Sequence, residues 1–425
     1  MQPTPSRAGR RHCIPPAPSP RADFDLLGGV DGTLAVVLWR AIRDVLLWAQ
    51  SPSESRAGIF PPLTAELTAR HTAAVLEAPE LVPALDVFMR LHREPEAIQE
   101  SEVAGACQAV YRYADRHSLS VVAAHFAEAA AWADPSDAAY ASDAGFACRI
   151  TNVKDFPSRS AAWYQRAFIL SIRARNEKAF ISALTGYGAL MKKLGNFAEA
   201  RSAYLRAARR AVRTGRRRKA ARAFHYLFAL GAETDDFTAA VYFARKSLSL
   251  YPVHDSLLPY LGHDWAFLLL RRGVYGSALR VLRRVERMIA RPLDLVLVLG
   301  TAARAAGGAG AWEDYQRAES AIQKLIPHYP DRAAGALIGL AEGARSLGLW
   351  QEAASYADDA LRQARGEPDP ELVKTALVLI DVIRRRVPPE KETAPDAETA
   401  ALTRRLAARL RRWEPRSGGN LDAGT

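Results

Sequence analysis

The stretch "MKKLGNFAEARSAYLRAARR", residues 191–210, decides the fold. A helical run reaches Lys193, Gly195 interrupts it, and a second helical period begins at once. In that second period Ala200, Tyr204 and Ala207 share one face, because residues three and four apart stack along a helix. Gly accepts the left-handed conformation that closes a helix. Small side chains at a crossing let paired helices approach to about 8–10 Å. The stretch therefore reads as one helix–turn–helix hairpin.

The same pattern returns along the chain. Leu184, Tyr187 and Gly188 precede Gly195 in the opening copy. Phe224, Leu227 and Phe228 precede Ala240, Ala244, Ser247 and Pro252 in the next. Trp265, Ala266 and Leu269 precede Gly273, Ala278, Leu282 and Val285. Leu337, Leu340 and Ala341 precede Gly348, Ala353, Ala357 and Ala360. Weaker copies carry Ala123, Ala127, Ala130 and Pro135, then Cys148, Ser160, Tyr164 and Ala167. A degenerate copy covers 293–325, in which Gly300 fits the pattern and "GGAG" at 307–310 reads as an insertion at the turn.

These residues resemble the tetratricopeptide repeat (TPR) family, and the chain is similar to bacterial TPR-containing proteins. The resemblance implies an all-α fold, a right-handed superhelical α-solenoid of helix–turn–helix repeats. A different helical-hairpin solenoid, such as a HEAT-like array, stays open on this pattern. Units start near 104, 141, 181, 221, 259, 293 and 334. Intervals of mostly 37–41 residues exceed the usual 34 and imply longer helices.

The array occupies 104–386. Before it, 1–22 is rich in Pro, Ser and Arg and reads as a disordered tail. Residues 23–103 read as an N-terminal helical cap or docking region, with three or four helices in 24–92. Residues 387–398 read as a polar linker, and 399–425 as a basic C-terminal helix and tail. The most apolar helix, 34–49, carries Arg40, Arg43 and Asp44, so no membrane span is expected. Three cysteines, Cys13, Cys107 and Cys148, form no pattern for a disulfide framework or a zinc site, which points to a cytoplasmic setting.

Catalytic signatures are absent from the sequence. No phosphate loop, H-E-x-x-H or G-x-S-x-G occurs. His125 and His225 read as packing or surface residues, and Cys107 and Cys148 as core. No catalytic residue, metal or cofactor is expected.

A repeat array lines its concave side with the first helix of each unit. In the register above, Arg222, His225 and Tyr226 face that groove with Ala229. Tyr260, His263, Asp264 and Phe267 follow in the next unit, and Lys192 and Lys193 end the preceding groove helix. Aromatics among mixed polar groups suit a peptide. Co-chaperone members of the family hold a C-terminal carboxylate with a Lys/Asn/Arg clamp. The matching positions here, Thr185, Ala189, His225 and Ala229, supply no Asn, which argues against that mode.

Charge is segregated within a formal net +12. Residues 154–222 hold 18 Lys and Arg against 3 Asp and Glu. The block peaks at Arg209, Arg210, Arg213, Arg216, Arg217, Arg218 and Lys219. Such a face steers acidic partners or is simply solvated. Nucleic acid ranks below an acidic protein, because no helix-turn-helix reader is evident. Two functions follow. One is a non-enzymatic scaffold or adaptor that binds a peptide or protein through the groove or the basic face. The other is a sensor-regulator whose repeats control an effector module in 24–92.

Overall fold

The computed structural model describes residues 32–62, 65–117, 119–151, 156–366, 370–389 and 391–412. The tail at 1–22, Cys13 and the stretch beyond Arg412 lie outside them. The described secondary structure is helical, and the chain divides into two compact units, residues 1–214 and 215–425.

The first unit contains α1 (Gly32–Gln50), α2 (Ala65–Glu77), α3 (Val82–Arg93), α4 (Glu100–Arg116) and α5 (Ser120–Ala133). It continues with α6 (Ala138–Ile150), α7 (Phe156–Arg173), α8 (Glu177–Lys193) and α9 (Phe197–Arg213). Helix α1 buries Leu38, Val45 and Trp48 and packs on α2, α3 and α5. Trp48 donates to the Pro95 carbonyl at 2.6 Å. Helix α5 is so rich in Ala that it is buried from Val122 to Ala131, wrapped by α1, α4 and α6. From α4 onward consecutive helices pair.

The second unit contains α10 (Arg217–Glu233), α11 (Phe237–Leu250), α12 (Leu258–Arg271), α13 (Tyr275–Val285) and α14 (Pro292–Gly308). It ends with α15 (Trp312–Leu325), α16 (Ala333–Ser346), α17 (Trp350–Gly366), α18 (Pro370–Arg384) and α19 (Ala397–Arg411).

The turn that closes the first helix of each pair from α8 onward, and the end of α18, has one chemistry. Gly195, Asp235, Gly273, Gly310, Gly348 and Arg386 all have positive φ. The N–H of the following residue bonds back across the turn each time: Asn196 to Met191 O and Asp236 to Gly231 O, both at 2.9 Å. The same bond closes Val274 on Leu269, Ala311 on Ala306, Leu349 on Ala344 and Val387 on Val382. This is the Schellman closure, which satisfies carbonyls at the end of the first helix. Asn196 and Asp236 then cap the second helix through bonds from Glu199 N and Ala239 N.

Packing follows the small–large rule. A Cβ on Gly188 would lie 2.7 Å from the ring of Tyr204, so the Gly of α8 receives the Tyr of α9. Ala200, Ala240, Ala278 and Ala353 are fully buried.

The copy at 293–325 is corrected. Gly310 closes its first helix, and "GGAG" is no insertion. Gly307 and Gly308 belong to α14. Gly300 and Gly307 instead face α16, where Ala336, Gly339 and Gly343 bring the two backbones into direct contact. The glycines act here as a close-packing seam rather than as helix breakers.

Beyond Arg386 the repeat stops. Pro388 and Pro389 follow, and among the described residues no helix pairs with α18 in the usual place. Val378 is 58% exposed, where its counterpart Leu340 in α16 is fully buried. The chain returns instead to α12 and α13. Thr393 N–H donates to Gly273 O at 2.9 Å, and Gly276 N–H donates to the Glu392 carboxylate at 2.8 Å. Helix α19 then buries Leu402, Leu406 and Leu410 against α11, α12 and α13. Trp265 Nε1 donates to the Thr403 hydroxyl at 3.0 Å. Gly262 makes room beside Leu410, since a Cβ there would lie 3.3 Å from its Cδ1.

Candidate binding groove

Helices α10, α12 and α14 present the expected groove residues in the second unit. Arg222 and Tyr226, one turn apart on α10, bond through the guanidinium and the phenol oxygen at 3.1 Å. The same guanidinium lies 5.6 Å from the ring centroid. His225 Nε2 meets Asp264 Oδ2 of α12 at 2.9 Å, and its Nδ1 lies 3.4 Å from the Tyr251 hydroxyl. His263 Nδ1 lies 3.5 Å from the other oxygen of Asp264. The second His263 nitrogen reaches Thr301 of α14 at 3.0 Å. Tyr260 donates to Asp294 of α14 at 2.7 Å.

A polar ladder thus crosses three successive first helices. Its electrostatics are settled locally. Burial works against a charge on Asp264, but the hydrogen bonds from His225 and His263 outweigh it and hold the carboxyl well below the usual range. Burial, with the bond to Asp294, pushes the Tyr260 phenol up. Phe267 stands beside the ladder and is 44% exposed. It is the apolar contact such a groove offers.

The structure brings Arg222, His225, Tyr226, Tyr260, His263, Asp264 and Phe267 into one unit. Lys192 and Lys193 end α8 in the first unit, where Lys193 Nζ donates to Arg149 O at 2.9 Å. Tyr251, Asp294 and Thr301 complete the ladder and are not evident from sequence. Asp294 lies in the first turn of a helix that opens on Pro292, where an acidic residue suits the helix start.

The basic block divides between the units. Arg209, Arg210 and Arg213 belong to α9 of the first. Arg209 and Arg213 are exposed, while Arg210 Nε donates to Glu177 at 2.6 Å. Arg216, Arg217, Arg218 and Lys219 open α10 of the second. Arg216 and Arg217 are exposed and Lys219 is half-buried. Arg218 pairs with the buried Asp255 at 2.8 Å. Arg210 and Arg218 are therefore engaged in internal ion pairs.

The cysteines lie where packing places them. Burial pushes the Cys107 and Cys148 thiols far up, so neither supplies a thiolate. Glu128 beside Cys148 is buried as well. Burial raises its carboxyl, while Arg159 and Trp163 pull it back, with Trp163 Nε1 donating at 2.8 Å.

No protein-family model matches the chain. A search of curated proteins finds no match either. Solved structures do show likeness. One is the Cut9–Hcn1 hetero-tetramer of the APC/C, at 12% identity over 84% of this chain and 65% of that chain, with a TM-score of 0.46. Yeast Tom70 aligns at 14% identity over 86% of this chain and 68% of that chain, also at 0.46. The P58(IPK) TPR domain aligns at 13% identity over 76% and 93%, at 0.22. The chain spans 65% of the length of the first of these. No helix among the described residues is long and apolar enough to cross a membrane.

Proposed function

We propose that the chain is a non-enzymatic scaffold that receives a peptide or protein along the α10–α12–α14 groove. The supporting observation is the ladder from His225 through Asp264 and His263 to Thr301, with the Arg222–Tyr226 pair beside it on α10. Its members hold one another in place before any ligand arrives, and preorganised side chains lose less entropy on binding. Phe267 adds the exposed aromatic surface on which binding energy concentrates. The groove offers both signs of charge, so a mixed polar peptide suits it better than a uniformly acidic one.

Photocrosslinking in cells tests this reading. A benzoylphenylalanine replaces Phe267, and a control carries the same residue at Leu377. The expected result is a discrete protein adduct from the Phe267 position alone, lost on Tyr260→Ala. Equal labelling from both positions would remove the groove as the binding surface.

A further inference from the structure

Docking of α19 creates a surface that neither segment has alone. On α12, Gly262 and Trp265 meet α19, while Tyr260, His263 and Asp264 lie on the opposite face. Between α19 and α11 is a recess of about 420 Å³, a size that holds a small ligand group. Leu248, Val253 and Leu402 give it an apolar lining. Four arginines surround it: Arg245 from α11, Arg405 and Arg409 from α19, and Arg412 at the end of α19.

Little carboxylate balances these cations. Arg245 meets Glu398 at 3.3 Å, with both side chains about half exposed. Arg405 and Arg412 have no ion-pair partner among the described residues. Arg409 donates to the Tyr251 carbonyl, but its Nε is shielded from water and has no hydrogen-bond partner. On the other flank of α19, Arg411 adds its charge to Arg280 and Arg284 of α13 and to Arg287 just beyond it. Burial and then these like charges push the Arg284 guanidinium down.

We propose that this recess is a second binding site, for an acidic peptide segment in which a Leu-like side chain is flanked by carboxylates. The apolar side chain enters between Leu248 and Leu402. Arg405, Arg409 and Arg412 meet the carboxylates, the anion geometry that guanidinium forks match. The arginines of α13 extend the positive surface beyond the recess, which favours a chain of several carboxylates over a single small anion. A bilayer is disfavoured because membrane binding needs protruding apolar groups, and here the apolar part is recessed. Single-stranded nucleic acid needs free aromatic faces. Tyr242, the exposed ring nearby, is already held by Arg245 and Lys246, each under 6 Å from its centroid. This site does not use Tyr260, His263 or Asp264, although Arg409 bonds the carbonyl of Tyr251, whose hydroxyl faces His225.

The test uses the full chain and a fluorescein-labelled peptide of Glu-Glu-Leu repeats, read by anisotropy. Binding is expected, weakening steeply with salt. It should fall about tenfold or more in the Arg405→Glu, Arg412→Glu double variant, since reversal turns attraction into repulsion. Ala408→Glu, which puts a carboxylate in the recess, should act alike. Both changes are at exposed or half-exposed positions, and circular dichroism confirms the fold. A Glu-Glu-Ser peptide should bind several-fold more weakly, and Tyr260→Ala should leave binding unchanged. Equal binding by the double variant, or loss in Tyr260→Ala alone, overturns the proposal. So does tighter binding of phosphatidylserine vesicles or oligo-dT than of the peptide.

Discussion

Gly307 of α14 lies against Gly343 of α16 with no side chain between the two helices. A Cβ on Gly307 would strike the Gly343 carbonyl, and one on Gly343 would meet the Ala303 carbonyl. Nearby, a Cβ on Gly300 would lie 2.7 Å from Ala336 Cα. Backbone cannot yield as a flexible side chain does. Gly307→Val should therefore lower stability by about 1–3 kcal/mol or more, the range for an overpacked contact. Gly310 just beyond has no neighbour within 4 Å and answers only to its positive φ. Amide exchange should be slow at 303–307, comparable to 224–230. Fast exchange there would mean that the seam opens.

Sequence alone points to the opposite outcome at this place. Three glycines in four positions weaken a helix by about 1 kcal/mol each relative to Ala, and they read as an insertion and a loose joint. A propensity argument has no access to the facing helix. Gly343 lies more than thirty residues on, in the next repeat. Where the partner is close in sequence, the reading holds. Gly188 and Tyr204 are adjacent in the repeat and pack as their sizes require. The turn series was legible at Gly195, Gly273 and Gly348 but not at Asp235 or Arg386, where the backbone keeps its form without Gly. In the groove, residues 222–226 and 260–267 were visible as two sets. Their bonds to Tyr251, Asp294 and Thr301 were not. The four-arginine recess joins Arg245 to Arg405, and no local pattern announces it.

Those turn positions make a prediction with two signs. A non-Gly residue in the left-handed region costs about 1–2 kcal/mol. Gly195→Ala should lose stability of that order, although nothing lies within 4 Å of the site. Arg386→Gly, at φ 52°, should gain stability, less the greater freedom Gly brings to the unfolded chain, about 0.5–1 kcal/mol. Chemical denaturation of the two variants decides it. A loss in both would mean that the Arg386 side chain contributes more than its backbone costs.

Helix α19 should behave as part of the second unit rather than as a tail. Leu406 is buried at its centre, and truncation of such a residue to Ala costs about 2–5 kcal/mol. In parent protein, trypsin should spare Arg404 and Arg405 under native conditions. In Leu406→Ala those bonds should be cut early. Trp265→Phe removes one buried hydrogen bond, worth about 0.5–1.5 kcal/mol, and should give an intermediate rate. Equal cleavage in parent and both variants would show that the helix does not hold its place in solution.

The buried His125 of α5 should make the first unit sensitive to acid. It is 3% exposed. Burial first, and the Arg159 charge second, push its pKa down to about 4. An unfolded histidine titrates near 6.5. Between these values the unfolded chain binds a proton that the folded chain refuses. Stability is therefore full above about pH 6.5 and is lost as pH falls toward 4, with a slope of at most about 1.4 kcal/mol per pH unit. Glu128, raised by burial, works in the other direction, because the folded state holds its proton at higher pH than the unfolded chain does. A difference measurement separates the two. His125→Gln keeps Glu128 and removes the titrating ring. The parent should lose more melting temperature than His125→Gln between pH 6.5 and 4.5, on the order of a few degrees. Parallel pH profiles would show that His125 is protonated in the folded protein, with a proton acceptor beside it.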